Sequence, residues 1–200
     1  MSITPIIQFG TSRFLQAHAD LFISDALKTG DAVGPICVVQ SSGDSVRARR
    51  LQALAAPIGY PVRVQGIVEG AEVSFETRAN AVTCTLSTAT DLAELQRRFV
   101  DEAEIVISNT GDAGWAAQPQ DNYAQFAQPM SFPAKLTHLL RARFAACGRV
   151  IQIMPTELVA RNGEVLRDRV LKLARALDPK FADWVARDVR FVTSLVDRIV

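Results

Sequence analysis

No apolar run in this 200-residue chain approaches the roughly 20 residues that a membrane-crossing helix needs, and no basic stretch precedes an apolar core at the N-terminus. On these absences the protein is expected to be soluble and cytoplasmic. Charge of one sign is missing too: 22 basic residues face 21 acidic ones, a formal net charge of +1. The chain therefore has no net field with which to hold a nucleic acid or an anionic membrane. Histidine is scarce, and neither His18 nor His138 has a second histidine or an acidic partner at a metal-ligand spacing, so both read as packed or surface side chains. Cys37, Cys84 and Cys147 are odd in number, far apart in the chain and set in apolar contexts. That pattern suits neither a disulfide framework nor a CxxC metal site, and buried free thiols are the expectation. A Walker A loop, a G-x-S-x-G elbow, a cysteine–histidine signature, internal repeats and low-complexity tracts are also absent.

What is present suits a single globular domain over residues 1–200. The 48% hydrophobic and 22% charged residues can bury one sizeable core. Residues 3–9 form an apolar run, and Phe14, Ala17, Leu21, Phe22 and Ala26 follow at helical spacing over residues 14–27. A turn, "TGDAVG", leads to a second apolar strand, "PICVVQ", and then to a loop in which Asp44 or Ser45 caps a further helix. Residues 60–86 alternate with the period of short strands and read as an inserted β-rich excursion. A helix over 91–100, the strand "AEIVIS", a helix opened by Pro133 and stopped at Gly148, and the strand "RVIQIMP" complete the pattern. Alternation of this kind predicts an α/β fold, a doubly wound and mostly parallel sheet with helices on both faces. Ligands of such sheets sit beyond the carboxyl ends of the strands. The segments of interest are thus Gly10–Phe14, Gln40–Asp44, Asn109–Trp115 and Met154–Leu158.

Gly10 permits a tight strand-to-helix turn, but Ser12 replaces the second glycine of the dinucleotide fingerprint and Leu15 falls at its third. The second strand ends at Gln40, with Ser41 and Ser42 before Asp44, where an acidic residue usually accepts the ribose hydroxyls of NAD. Arg47, Arg49 and Arg50 follow closely and suit a 2′-phosphate, so the choice between NAD and NADP stays open. Asn109 and Thr110 in "NTGDAGW" can hydrogen-bond a cofactor, and the small residues beside them let a ligand approach the backbone.

Five segments in order, "QFGTSRFLQAHADLF", "IVISNTGDAGW", "FPAKLTHLLRARF", "PTELVARNGEVLRDRVLKLA" and "FVTSLVDRIV", resemble the N-terminal half of the mannitol dehydrogenase family of long-chain polyol and hexuronate oxidoreductases. The chain looks closest to the hexuronate branch, the tagaturonate (altronate) and fructuronate (mannonate) reductases. The resemblance implies a Rossmann-type domain that binds a nicotinamide dinucleotide, with hydride passing between the cofactor and a sugar-acid or polyol carbon. It also implies a helical C-terminal domain carrying a lysine general base in a K-x-x-x-x-N-x-x-H pattern, which these 200 residues do not contain. The chain is therefore expected to be a fragment or truncated product.

With Gln40 from the residue reading, the implied cofactor-contacting set is Gly10, Thr11, Ser12, Phe14, Gln40, Asn109, Thr110 and Gly114. Asp112 stands where the family more often has glutamate. Asp197 matches an aspartate at the family's substrate site and is assigned orienting or electrostatic assistance, with Arg198 after it. Leu158, next to Glu157, occupies the place of the asparagine that helps polarise the reacting oxygen in mannitol dehydrogenases, which favours a hexuronate-type substrate. The competing reading is a non-catalytic Rossmann-like binding or interaction module. A third, an adenosine-binding transferase, fits the β-rich excursion and the "VDRIV" ending poorly.

Overall fold

The computed structural model describes residues 3–195, apart from the side chains of residues 45–47, 49 and 50. Strand β1 (Ile6–Phe9) leads through helices α1 (Arg13–Ala17) and α2 (Ala19–Thr29) to β2 (Ile36–Gln40) and α3 (Ser45–Leu54). Strands β3 (Tyr60–Val68) and β4 (Ala71–Ala79) follow, then β5 (Val82–Ser87), α4 (Leu92–Asp101) and β6 (Ile105–Ser108). Helix α5 (Gly111–Trp115), a 3-10 turn (Pro119–Asn122), α6 (Phe132–Ala146), β7 (Ile151–Pro155), α7 (Asn162–Leu177), α8 (Pro179–Asp188) and β8 (Val189–Phe191) complete the elements of the described residues.

Among the described residues, six strands form one sheet in the order β5-β2-β1-β6-β7-β8, each pair parallel. This is the 3-2-1-4-5-6 order of the doubly wound dinucleotide-binding fold. Alternate side chains of each strand serve opposite faces. Ile7, Phe9, Cys37, Val39, Val106, Ile151 and Ile153 pack under α4, α6, α7 and α8. Ile6, Ile36, Val38 and Val82 pack with Leu15 of α1, Ile23 and Leu27 of α2, and Leu51 and Leu54 of α3. The polar Gln8, on that second face, is buried beside α2.

Antiparallel pairing of β3 and β4, from Tyr60↔Ala79 to Val68↔Ala71, makes a two-stranded ribbon. Opposed residues share a face, so Tyr60, Val62, Val64, Gly66 and Val68 join Ala71, Val73, Phe75, Thr77 and Ala79 on one apolar side. Only its base is covered: Val62 and Ala79 are buried against Leu21 and Ala17 of α2 and α1, whereas Val68 and Phe75 are 56% and 55% exposed. The opposite side carries Arg63, Gln65, Glu72, Ser74, Glu76 and Arg78.

Three expectations change in detail. The helix expected over 14–27 is broken at His18, whose backbone (φ −122°, ψ −86°) leaves the helical region. The ring of His18 lies between Phe14 and Phe22, with centroids 4.9 and 4.7 Å away. The β-rich excursion of 60–86 is the ribbon alone over 60–79, because residues 82–87 are the third strand of the main sheet. Cys147 is exposed rather than buried, since it caps α6 at the surface, while Cys37 is buried and Cys84 half-buried.

Candidate functional site

The carboxyl ends of β1 and β6 meet where the strand order reverses, the crevice at which open α/β sheets bind ligands. Gly10 continues β1 by donating its N–H to the Val39 carbonyl at 3.0 Å, then turns away at φ +118°. A Cβ there would stand 2.3 Å from the Asn109 carbonyl oxygen. Glycine is thus required both by the turn and by the close approach of the two strand ends. Thr11 and Ser12 follow, and the Ser12 Oγ caps α1 by accepting the Leu15 N–H at 3.2 Å.

A cavity of about 620 Å³ opens here, lined by Gly10, Thr11, Ser12, Gln40, Asn109 and Thr110 among others. Six of the eight residues expected to contact a cofactor therefore share one wall. Phe14 and Gly114 do not line it. Phe14 is partly buried among the core residues beneath α1, and Gly114 lies within α5, where a Cβ would meet the Thr110 side chain at 2.9 Å. Arg13 and Gln16, which the sequence reading passed over, add to the polar lining, and Leu51 and Leu54 supply apolar surface.

Gln40 is 2% exposed and ends β2 at the cavity. Its Nε2 donates to the Asp44 carbonyl at 2.6 Å and to Ser42 Oγ at 3.2 Å, while its Oε1 has no hydrogen-bond partner among the described residues. A buried acceptor left unpaired is costly, and the residue that carries this one is part of the cavity lining. The loop after Gln40 is held from behind. The Ser41 carbonyl accepts from Lys135 Nζ at 2.5 Å, Gln128 Nε2 at 3.0 Å and Thr88 Oγ1 at 3.2 Å. Burial pulls the Lys135 ammonium down to about 8, against the favourable charge of Asp121.

Asn109 and Thr110 are held in turn by the β7–α7 connection. Buried Glu157 accepts from Ser108 Oγ at 3.0 Å, from the Thr110 N–H at 3.1 Å and from Thr110 Oγ1 at 3.3 Å. Asn109 Nδ2 donates to the Thr156 carbonyl at 2.9 Å. Leu158, by contrast, is 88% exposed. Asn162 gathers the end of the described chain: its Nδ2 donates to the Pro155 and Glu157 carbonyls, and its Oδ1 accepts the Ser194 N–H at 3.0 Å. Gly163 permits this, because a Cβ would lie 2.5 Å from the Val192 carbonyl oxygen. Asp197 and Arg198 lie outside the described residues, as do the side chains of Arg47, Arg49 and Arg50. His138 is buried in α6, and burial, with the charge of Arg141, pushes its imidazole below the ordinary value.

Hydroxyls, amides and one arginine line the cavity, and among the described residues no carboxylate, histidine or lysine does. Such a wall can orient an elongated polar ligand, but it holds no group suited to proton transfer.

A sequence profile described as the mannitol dehydrogenase Rossmann domain matches residues 4–200. The altronate oxidoreductase of Halalkalibacterium halodurans is 29% identical over 98% of this chain and 39% of its own length. That of Shigella sonnei is 32% identical over 98% of this chain and 41% of its own length. The chain thus spans about two fifths of the curated relatives it matches. The solved structure of Pseudomonas fluorescens mannitol 2-dehydrogenase, a ternary complex with NAD and D-mannitol, shares the fold with a TM-score of 0.81 at 21% identity, over 99% of this chain and 42% of that one.

Proposed function

This chain belongs to the mannitol dehydrogenase family, matching its Rossmann domain, and on that premise we propose that it is the cofactor-binding part of an NAD-dependent oxidoreductase. Its substrate is a hexuronate/aldonate pair of the tagaturonate/altronate or fructuronate/mannonate type, in preference to a polyol. The altronate oxidoreductases among its relatives support that class, as does the apolar Leu158 beside Glu157. The observation that carries the cofactor reading is the polar switch-point cavity lined by Gly10, Thr11, Ser12, Gln40, Asn109 and Thr110, in which Gln40 keeps its buried Oε1 unpaired.

Gln40 would accept from a ribose hydroxyl, Gly10, Thr11 and Ser12 would hold the pyrophosphate, and Asn109 and Thr110 would fix the nicotinamide end. Phe14 and Gly114 support that surface from behind by packing. The bound cofactor supplies the hydride. Glu157 keeps Thr110 in place, and Asp197 assists at the substrate. The general base comes from a lysine beyond these residues, in a helical C-terminal domain, so turnover by this chain alone is negligible.

Calorimetric titration of the chain with NADH and, separately, NADPH tests the reading. NADH is expected to bind, and Gln40→Met to weaken it about tenfold, the effect of one lost hydrogen bond, with a modest fall in melting temperature from the lost Nε2 bonds to the Asp44 carbonyl and Ser42 Oγ. Absence of binding by either nucleotide at millimolar concentration would overturn the reading and leave the non-catalytic module.

A further inference from the structure

Cys37 of β2 and Cys84 of β5 lie 47 positions apart in sequence, yet their Sγ atoms are 2.8 Å apart. The cause is a register shift. Ile36 faces Val82, but the next residue, Cys37, faces Cys84, so Thr83 is skipped. In an unshifted ladder Cys37 would face Thr83. The shift is therefore what brings the two thiols together.

Directly opposed residues on neighbouring strands lie about 4.8 Å apart, inside the Cα separation of about 4.4–6.8 Å that a disulfide accepts. The two sulfurs are closer than ordinary non-bonded sulfur atoms and farther apart than bonded ones. Access differs between them. Cys37 is fully buried, whereas Cys84 is half-buried on the edge strand of the sheet, beside exposed Thr83. Arg98 of α4 places its charge near Cys84, with Glu94 and Glu102 opposing it. The contact with Cys37 and the Arg98 charge favour the Cys84 thiolate against its burial, while the same contact, with burial, keeps Cys37 protonated.

We propose that Cys37 and Cys84 form a redox-active dithiol, a site of oxidative modification at which hydrogen peroxide joins β2 to β5 through a disulfide. The Cys84 thiolate attacks one peroxide oxygen and the O–O bond breaks. With one proton this yields the Cys84 sulfenic acid and water. Cys37 then attacks the Cys84 sulfur, the S–O bond breaks, and the sulfenic oxygen leaves as water with the Cys37 proton. Two thiols and one peroxide become one disulfide and two waters, with two electrons passing from sulfur to oxygen. The bond forms three residues before Gln40, and β2 and β5 are already tied at their ends by the Thr88 N–H and the Gln40 carbonyl.

The test exposes the 200-residue chain to hydrogen peroxide, denatures it, alkylates remaining thiols and measures its intact and peptide masses. The expected product is lighter by two hydrogens before alkylation, takes one alkyl group, at Cys147, and gives a cross-linked peptide pair containing Cys37 and Cys84. The Cys37→Ser variant is expected to accumulate the Cys84 sulfenic acid, trapped by dimedone. Three alkylated cysteines after treatment, oxidation confined to Cys147, or Cys84 oxidised without the cross-link in the wild-type chain would each overturn the proposal.

Discussion

Gly10 meets two demands at once, a left-handed turn and the carbonyl of Asn109 pressed against it. Gly10→Ala is expected to destabilise the chain by about 2–4 kcal/mol, from backbone strain and overpacking together, seen as a lower midpoint in urea. A loss of nucleotide binding in that variant would follow from the misplaced strand ends alone, which is why Gln40 is the better probe. Asp20 is the second residue to watch. It is fully buried against Tyr60, whose hydroxyl donates to it at 2.6 Å, and burial raises its carboxyl to about 6. The folded state then binds a proton that the unfolded state releases, so this residue's contribution falls as pH rises from about 4 to about 6. Each unit is worth about 1.4 kcal/mol, so Asp20→Asn should gain up to roughly 3 kcal/mol on the wild type across that window, less any weakening of the Tyr60 contact. Parallel denaturant melts at the two ends of the window read the difference. Of the cavity, Gly10, Gln40, Asn109 and Thr110 were legible from their places after apolar runs. The supporting parts of Glu157, which holds Thr110, and Lys135, which holds the Ser41 carbonyl, were not, because those partners lie 47 and 94 positions away and no local pattern marks them.

Among the elements, α1 is short and depends on its cap. Ser12→Ala is expected to cost about 1 kcal/mol, measured by thermal melting, and to loosen the turn that carries Thr11. Arg143 of α6 has the larger structural part. It is buried, and its guanidinium donates to the carbonyls of Phe99 at 2.5 Å, Arg149 at 2.8 Å and Val150 at 3.1 Å. It thus satisfies the end of α4 and the lead into β7 together. Arg143→Met should lower stability by about 3 kcal/mol or more through the orphaned carbonyls, with a matching fall in the urea midpoint. The strands β1, β2, β6 and β7 were readable because strands buried on both faces are continuous apolar runs. The break at His18 was not, since the apolar spacing of Phe14, Ala17 and Leu21 runs straight through it. β5 was merged with the ribbon because Val82, Thr83 and Thr85 carry the same β-branched signature, and only parallel pairing with β2 separates it.

At the scale of the whole molecule, the two core clusters sit on opposite faces of one sheet, and the outer half of the ribbon contributes to neither. Replacing residues 64–75 by a tight turn is therefore expected to leave the melting temperature within a few degrees of the wild type, checked by circular dichroism. The doubly wound fold was legible in the alternation of elements, whereas the strand order was not, because order depends on which distant edges meet.

The ribbon's position has one more consequence. A protease that clips it between β3 and β4 separates a first piece containing β1 and β2 from a second containing β5 to β8. In the sheet, however, β2 and β1 lie between β5 and β6, so the pieces interlock like fingers of two hands. The nicked protein should stay together through a sizing column, and halves made separately should find each other when mixed.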